Sequence, residues 1–212
     1  MRFVILGSGT GSNAATLLRE WKAGRLGQAQ PVAIFSDKPD ARILSLGEQY
    51  GVPARFLDPG KYKTWLTPDV EAAYVAKIRD TGADLVVLAG YMQLVSAGFV
   101  ARFRNRIVNV HPALLPSFPG LDAIGQALGH GVRVTGVTVH FVDEGTDTGP
   151  VIAQRAIEVP AGGDRGRLEA AIHEVEHEIY PEAIGMIARG RVRIAADNPR
   201  RVVVDGPDEA SD

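Results

Sequence analysis

Within Ile107-Val108-Asn109-Val110-His111-Pro112 an amide and an imidazole stand two residues apart. On a β-strand alternate side chains project to one face, so Asn109 and His111 point together while Val108 and Val110 pack on the other side. Pro112 cannot continue a hydrogen-bonded ladder, which places both polar groups at the carboxyl end of the strand. Such a pair can donate two hydrogen bonds to one developing oxyanion, and an imidazole can also move a proton near neutral pH. A carboxylate is then needed to hold the imidazole charged. The loop Asp143-Glu144-Gly145-Thr146-Asp147-Thr148-Gly149-Pro150 supplies Asp143, Glu144 and Asp147, with glycines that let it fold over a site. Spacing does not choose among these acids, and a solvated turn is the simpler reading of the loop taken alone.

A different chemistry is written near the N-terminus, in Gly7-Ser8-Gly9-Thr10-Gly11-Ser12-Asn13. The run lies between a strand-like segment and a helical one over Ala14 to Trp21. A helix start exposes unpaired N–H groups and the positive end of the helix dipole, and glycines let backbone approach an anion closely, so a phosphate fits here. The dinucleotide fingerprint G-x-G-x-x-G fails at its last place, where Ser12 stands, and a Walker lysine is absent. The bland alternative is a tight turn in which Ser12 or Asn13 caps the helix. Asp37, after the second strand, could hold a ribose in a dinucleotide site, but as an isolated acid it reads as an ordinary surface turn.

These groups need a scaffold, and the chain alternates β-branched runs with helical patterns: Arg2 to Leu6, Pro31 to Phe35, Asp84 to Ala89 and Arg106 to Val110 are the clearest strands. Alternation of this kind predicts an α/β fold, a single Rossmann-like domain with a mostly parallel central sheet and helices on both faces. Leu85 to Ala89 is apolar without alternation, as a central strand covered on both faces requires. In open sheets of this class ligands bind at the carboxyl ends of the strands, where the 7–13, 89–92 and 109–112 segments converge. Val132 to Val142 and Val151 to Val159 are longer segments, expected to form an antiparallel C-terminal portion or to extend the edge of the sheet. A last helix begins near Asp164, with Leu168, Ala171, Ile172, Val175 and Ile179 on one buried stripe, and Pro181 should kink or end it. We expect one domain over residues 1–191, with a phosphate-binding half to about residue 90 and a catalytic half beyond it. Residues 192–212 form a strand-like extension and a loose tail after Gly206.

Composition narrows the class. The 212 residues are 45% apolar and 23% charged, with no cysteine and a net charge of −2. A disulfide framework, a thiolate nucleophile and a cysteine-bound metal are thereby excluded, and cytoplasm is the default location. No apolar run approaches the roughly 18 residues of a membrane span. The charge offers no global attraction to nucleic acid, so any phosphate must be held locally.

His173-Glu174-Val175-Glu176-His177 matches the zinc-hydrolase pattern H-E-x-x-H. Both histidines lie off the buried stripe and on one face, but no third ligand follows, and no metal is expected. His130, between Gly129 and Gly131, reads as a turn residue, and His140 as support behind the site.

Taken together, Asn109-Val110-His111-Pro112-Ala113-Leu114-Leu115-Pro116-Ser117-Phe118-Pro119-Gly120, Val139-His140-Phe141-Val142, Asp147-Thr148-Gly149-Pro150-Val151-Ile152 and Glu176-His177-Glu178-Ile179-Tyr180-Pro181 resemble the glycinamide ribonucleotide formyltransferases, folate-dependent enzymes of purine synthesis. The resemblance runs from Met1 to about Arg191. It implies Asn109, His111 and Asp147 as the catalytic trio, Gly11, Ser12 and Asn13 around the substrate phosphate, and His173 and Glu176 at the ribose or glycinamide. It further implies Met92, Gln93, Leu94, Val95, Asn109, Asp143, Glu144 and Asp147 around 10-formyltetrahydrofolate, a co-substrate used without metal. The partners expected are these small molecules, with neither nucleic acid nor membrane, in a monomer or homodimer. Two departures stand out. Family members often carry Gly-Phe-Met-Arg where this chain has Gly90-Tyr91-Met92-Gln93, and a basic residue often found before the third helix falls near Thr67, with Lys61 and Lys63 close by. Related formyltetrahydrofolate hydrolases carry an N-terminal regulatory domain, and methionyl-tRNA formyltransferases a C-terminal tRNA-binding domain; neither is expected here, since the chain opens directly on its first strand.

Overall fold

The computed structural model describes residues 1–62 and 64–206, which fall into two compact units, one covering Met1–Asn109 and one beginning at Val110. Lys63 and the expected loose tail lie outside the described residues.

The first unit holds β1 (Arg2–Leu6), α1 (Ser12–Lys22), β2 (Gln30–Ser36), α2 (Leu46–Tyr50), β3 (Ala54–Phe56), α3 (Pro68–Asp80), β4 (Leu85–Leu88), α4 (Ala97–Arg102) and the start of β5 (Ile107–His111). Its strands lie in the order β3-β2-β1-β4-β5 and all pair in parallel. Every residue of β4 is buried, as its unbroken apolar run demands. β1 sits between β2 and β4, so the loops leaving the carboxyl ends of these strands are neighbours. Phe3, Val4, Ile5 and Leu6 have no exposed surface and form the centre of this core.

The second unit contains α5 (Ala123–Gly129), β6 (Val134–Phe141), β7 (Val151–Glu158), α6 (Arg165–Ala188), β8 (Val192–Ala195) and β9 (Asn198–Val204). β6 and β7 pair antiparallel from Val134 against Glu158 to His140 against Val151, as expected for these segments, and they stand last in the strand order of the sheet. β8 and β9 form a second antiparallel hairpin, and the Val202-Val203-Val204 run supplies its return strand. Arg200 ties this hairpin to the acidic loop by donating to the Thr148 carbonyl at 3.0 Å.

Pro181 does not end α6, which continues through it to Ala188. A proline inside a helix costs about 3 kcal/mol through its missing N–H and its clash with the preceding turn. Ile179, Tyr180, Ala183 and Ile184 are all at most 1% exposed, and burying side chains of this size contributes about 1.5–3 kcal/mol each for the larger ones. Burial on both sides of the proline therefore outweighs the break.

Candidate active site

In the first unit α1 starts at Ser12, and its cap is Gly11, in the left-handed region with φ 78° and with no side chain capping the helix. The reading in which Ser12 or Asn13 caps the helix is thus not the arrangement formed, because both residues are already inside the first turn. The turn is closed against Ile43: a Cβ on Gly11 would lie 2.9 Å from the Ile43 Cβ and Cγ1. Both the backbone conformation and the space exclude a side chain. Gly11→Ala is expected to destabilise the chain by about 1–3 kcal/mol, read as a lower midpoint in denaturant unfolding, because it combines left-handed strain with overpacking. A midpoint matching wild type would show that the turn relaxes freely.

Ser8 is a member of the loop that the sequence did not single out. Its N–H donates to the Gly90 carbonyl at 3.0 Å, and its Oγ accepts the Met92 N–H at 2.9 Å. The glycine loop and the segment after β4 are therefore stitched together. Within that segment Met92 is 57% and Leu94 63% exposed, whereas Gln93 between them is 4% exposed. The Gln93 side chain turns inward and donates from Nε2 to Asp37 Oδ2 at 2.9 Å. This corrects one expectation: Asp37 is buried rather than part of a surface turn. The side chain of Gln93 faces the protein. Before α3, the rings of Tyr62 and Trp65 stack at 4.0 Å and the Lys61 ammonium lies 4.9 Å from the Tyr62 centroid. Thr67 caps the helix ahead of Pro68, with no side-chain hydrogen bond.

β5 carries Asn109 and His111 as alternate residues, with Val108 and Val110 buried between and before them. In the second unit the His111 imidazole sits between two acceptors: Nε2 is 2.8 Å from the Phe118 carbonyl, and Nδ1 is 3.4 Å from Asp147 Oδ2. A carbonyl can only accept, so Nε2 carries a hydrogen, and a ring with hydrogens on both nitrogens satisfies both contacts.

Asp147 is chosen from the three acids of its loop by the loop's internal bonding. Asp143 Oδ1 is used inside the loop, accepting from the Gly145 N–H at 3.1 Å and the Thr148 hydroxyl at 2.6 Å. Glu144 is exposed. Asp147, at φ 53°, turns back toward β5 and β6 instead. Gly149 permits this return, since a Cβ there would collide with the Phe141 carbonyl oxygen at 1.8 Å.

The Asp147 carboxylate meets a second imidazole as well. His140 Nε2 lies 3.6 Å from Oδ1, while its Nδ1–H donates to the Phe141 carbonyl at 2.9 Å. The Gly120 N–H adds a 2.8 Å bond to Oδ2. Burial pushes the Asp147 carboxyl up, but the His140 contact, the Gly120 N–H and the charges of His111 and His140 outweigh it and hold the group below the usual 3.8. His140 thus belongs to the site itself, beyond the supporting part assigned to it from the strand pattern. His130 remains a turn residue, its Nδ1–H donating to the Gln126 carbonyl at 3.0 Å.

His173 Nδ1 lies 3.0 Å from Glu176 Oε2, and Glu176 is buried in α6. The rings of His173 and His177 stack at 6.3 Å, but among the described residues no three histidine or acidic side chains gather as a metal site would require.

A mostly parallel, Rossmann-like sheet with a glycine loop, extended by an antiparallel C-terminal hairpin and bearing a histidine–aspartate pair, is the framework of a group-transfer enzyme. Residues 1–184 match the formyl transferase family, and the chain belongs to it. It is 38% identical over 183 residues to the phosphoribosylglycinamide formyltransferase of Bacillus subtilis, covering 86% of this chain and 92% of that protein. The crystal structure of glycinamide ribonucleotide transformylase 1 from Symbiobacterium toebii is similar with a TM-score of 0.90 and 42% identity, over 97% of this chain and 94% of the other. The trifunctional purine biosynthetic protein adenosine-3 of Drosophila melanogaster is 37% identical over 198 residues, which is 92% of this chain but 14% of that much longer protein.

Proposed function

We propose that the chain transfers the formyl group of 10-formyltetrahydrofolate to the amine of glycinamide ribonucleotide, giving formylglycinamide ribonucleotide and tetrahydrofolate in purine synthesis. The observation that carries this reading is the His111–Asp147 pair at the end of β5, in a chain matched along nearly its whole length by a phosphoribosylglycinamide formyltransferase. The substrate phosphate is assigned to the uncapped start of α1, at Gly11, Ser12 and Asn13. His173 and Glu176 are assigned to the ribose or glycinamide. The folate is assigned to Met92 through Val95, with Met92 and Leu94 offering apolar surface and Gln93 its backbone, together with Asn109, Asp143, Glu144 and Asp147. A cytoplasmic location belongs to the same proposal.

The amine nitrogen attacks the formyl carbon, the bond from that carbon to the folate N10 breaks, and one proton passes from the amine to N10. Between these events the carbonyl oxygen carries negative charge. The Asn109 amide donates one hydrogen bond to it. His111 can donate a second from Nε2, because a charged oxygen is a stronger acceptor than the neutral Phe118 carbonyl that this N–H meets in the free chain. Asp147 meanwhile retains Nδ1, keeps the imidazolium charge in place and helps relay the amine's proton through water to N10.

The test is a formyl-transfer assay on the purified chain with both substrates, offering water and methionyl-tRNA as competing acceptors. Transfer to the ribonucleotide is expected. Transfer only to water, or only to the tRNA, would replace this reading with a hydrolase or a tRNA-modifying enzyme.

A further inference from the structure

Asp37 follows the end of β2, and its side chain has no exposed surface. A buried carboxylate is costly unless it is hydrogen-bonded or paired. Here the donor is the Gln93 amide at 2.9 Å, and the Lys38 ammonium approaches no nearer than 3.8 Å. Tyr74 and Tyr91 stand close by: burial, and then neighbouring charges that include Asp37, push both phenols up. Tyr74 is held in turn by donating to the Leu57 carbonyl. Asp37 is therefore packed into a polar cluster that Tyr91 and Gln93 join to the segment after β4, Gln93 by its hydrogen bond to the carboxylate.

That segment is held at several points. Ser8 binds Gly90 and Met92, the Leu94 N–H donates to the Thr64 carbonyl at 2.8 Å, and Gly90 turns at φ 68°. Side chains alternate along it, with Met92 and Leu94 outward and Gln93 inward. Releasing Gln93 from Asp37 would remove the side-chain bond that holds the middle residue of this alternation inward.

We propose that Asp37 is a positioning residue for the folate co-substrate: its buried carboxylate holds Gln93 inward and so fixes the backbone that presents Met92 and Leu94. The proposal rests on the formyl-transfer reading, in which this segment meets the folate.

Asp37→Ala and Asp37→Asn are compared with wild type. Asparagine still offers a side-chain carbonyl to the Gln93 Nε2, whereas alanine offers nothing. Asp37→Ala is expected to raise the KM for 10-formyltetrahydrofolate about tenfold to a hundredfold, the scale of losing one hydrogen bond to a charged group. The KM for the ribonucleotide and kcat at saturating folate should stay within about threefold, and Asp37→Asn should stay near wild type in all of these. Hydrogen exchange without substrates gives an independent readout. The Met92 and Leu94 amides, both hydrogen-bonded, should exchange faster in Asp37→Ala and at the wild-type rate in Asp37→Asn. Unchanged exchange in a folded alanine variant, or an equal rise in both KM values, would overturn the proposal. Should Asp37→Ala fail to fold, Gln93→Leu cuts the same link from the other side and must give the same two results. A wild-type chain that transfers no formyl group would refute the reaction instead, while the exchange rates would still decide whether Asp37 fixes the segment.

Discussion

His111→Ala is expected to lower kcat by about 10²- to 10⁴-fold while leaving both KM values within several-fold. The two effects separate because the imidazole serves the oxyanion, which exists only in the transition state, and contributes little to the ground-state grip on either substrate. The ring is buried, so truncation also leaves the Phe118 carbonyl and Asp147 without their partner. A thermal melt run beside the kinetics therefore separates loss of fold from loss of chemistry. A folded variant with near-normal turnover would remove His111 from the mechanism.

The strand that carries His111 was legible from sequence because period-two alternation and the following proline are local signals. β1 and β4 were legible instead as short unbroken apolar runs, and the start of α6 from its buried stripe, with the Asp164 side chain accepting the Arg167 N–H at 3.0 Å. What could not be read depends on residues far apart in the chain. Asp37 looked like a turn acid because it stands past the end of a strand, between Ser36 and Lys38, and its partner Gln93 lies 56 positions away. Pro181 looked like a kink or a stop because the rule for proline is local, whereas the packing that carries the helix through it is tertiary. The three-residue β3 is too short for any periodicity to register. Asp147 is an intermediate case. Its loop was visible and the resemblance named it, but spacing left the three acids open, and only the folded loop has Asp143 consumed by Gly145 and Thr148.

Asp147→Asn tests that choice with little disturbance of the fold. Asparagine tolerates the left-handed conformation at φ 53°, and its side-chain carbonyl can still accept the Gly120 N–H, so the variant removes chiefly the negative charge. Turnover is expected to fall about 10²- to 10⁴-fold, because the imidazolium that stabilises the oxyanion loses the charge that holds it and the relay of the amine's proton loses one of its groups. Replacing Asp143 in the same way should leave turnover far less affected, since its carboxylate is engaged inside the loop. Stability supplies a second readout with a definite sign. The folded chain holds the Asp147 carboxyl below its usual 3.8, so its charged form stabilises the fold at pH values above the unfolded pKa, and that contribution disappears as pH falls through the lower folded value. Wild type should therefore exceed Asp147→Asn in unfolding free energy at neutral pH, with the gap closing only below about pH 4, where the unfolded carboxyl of this class protonates. A gap that persisted unchanged into strong acid would mean that the asparagine disturbs packing rather than charge, and the kinetic loss could then no longer be assigned to the carboxylate.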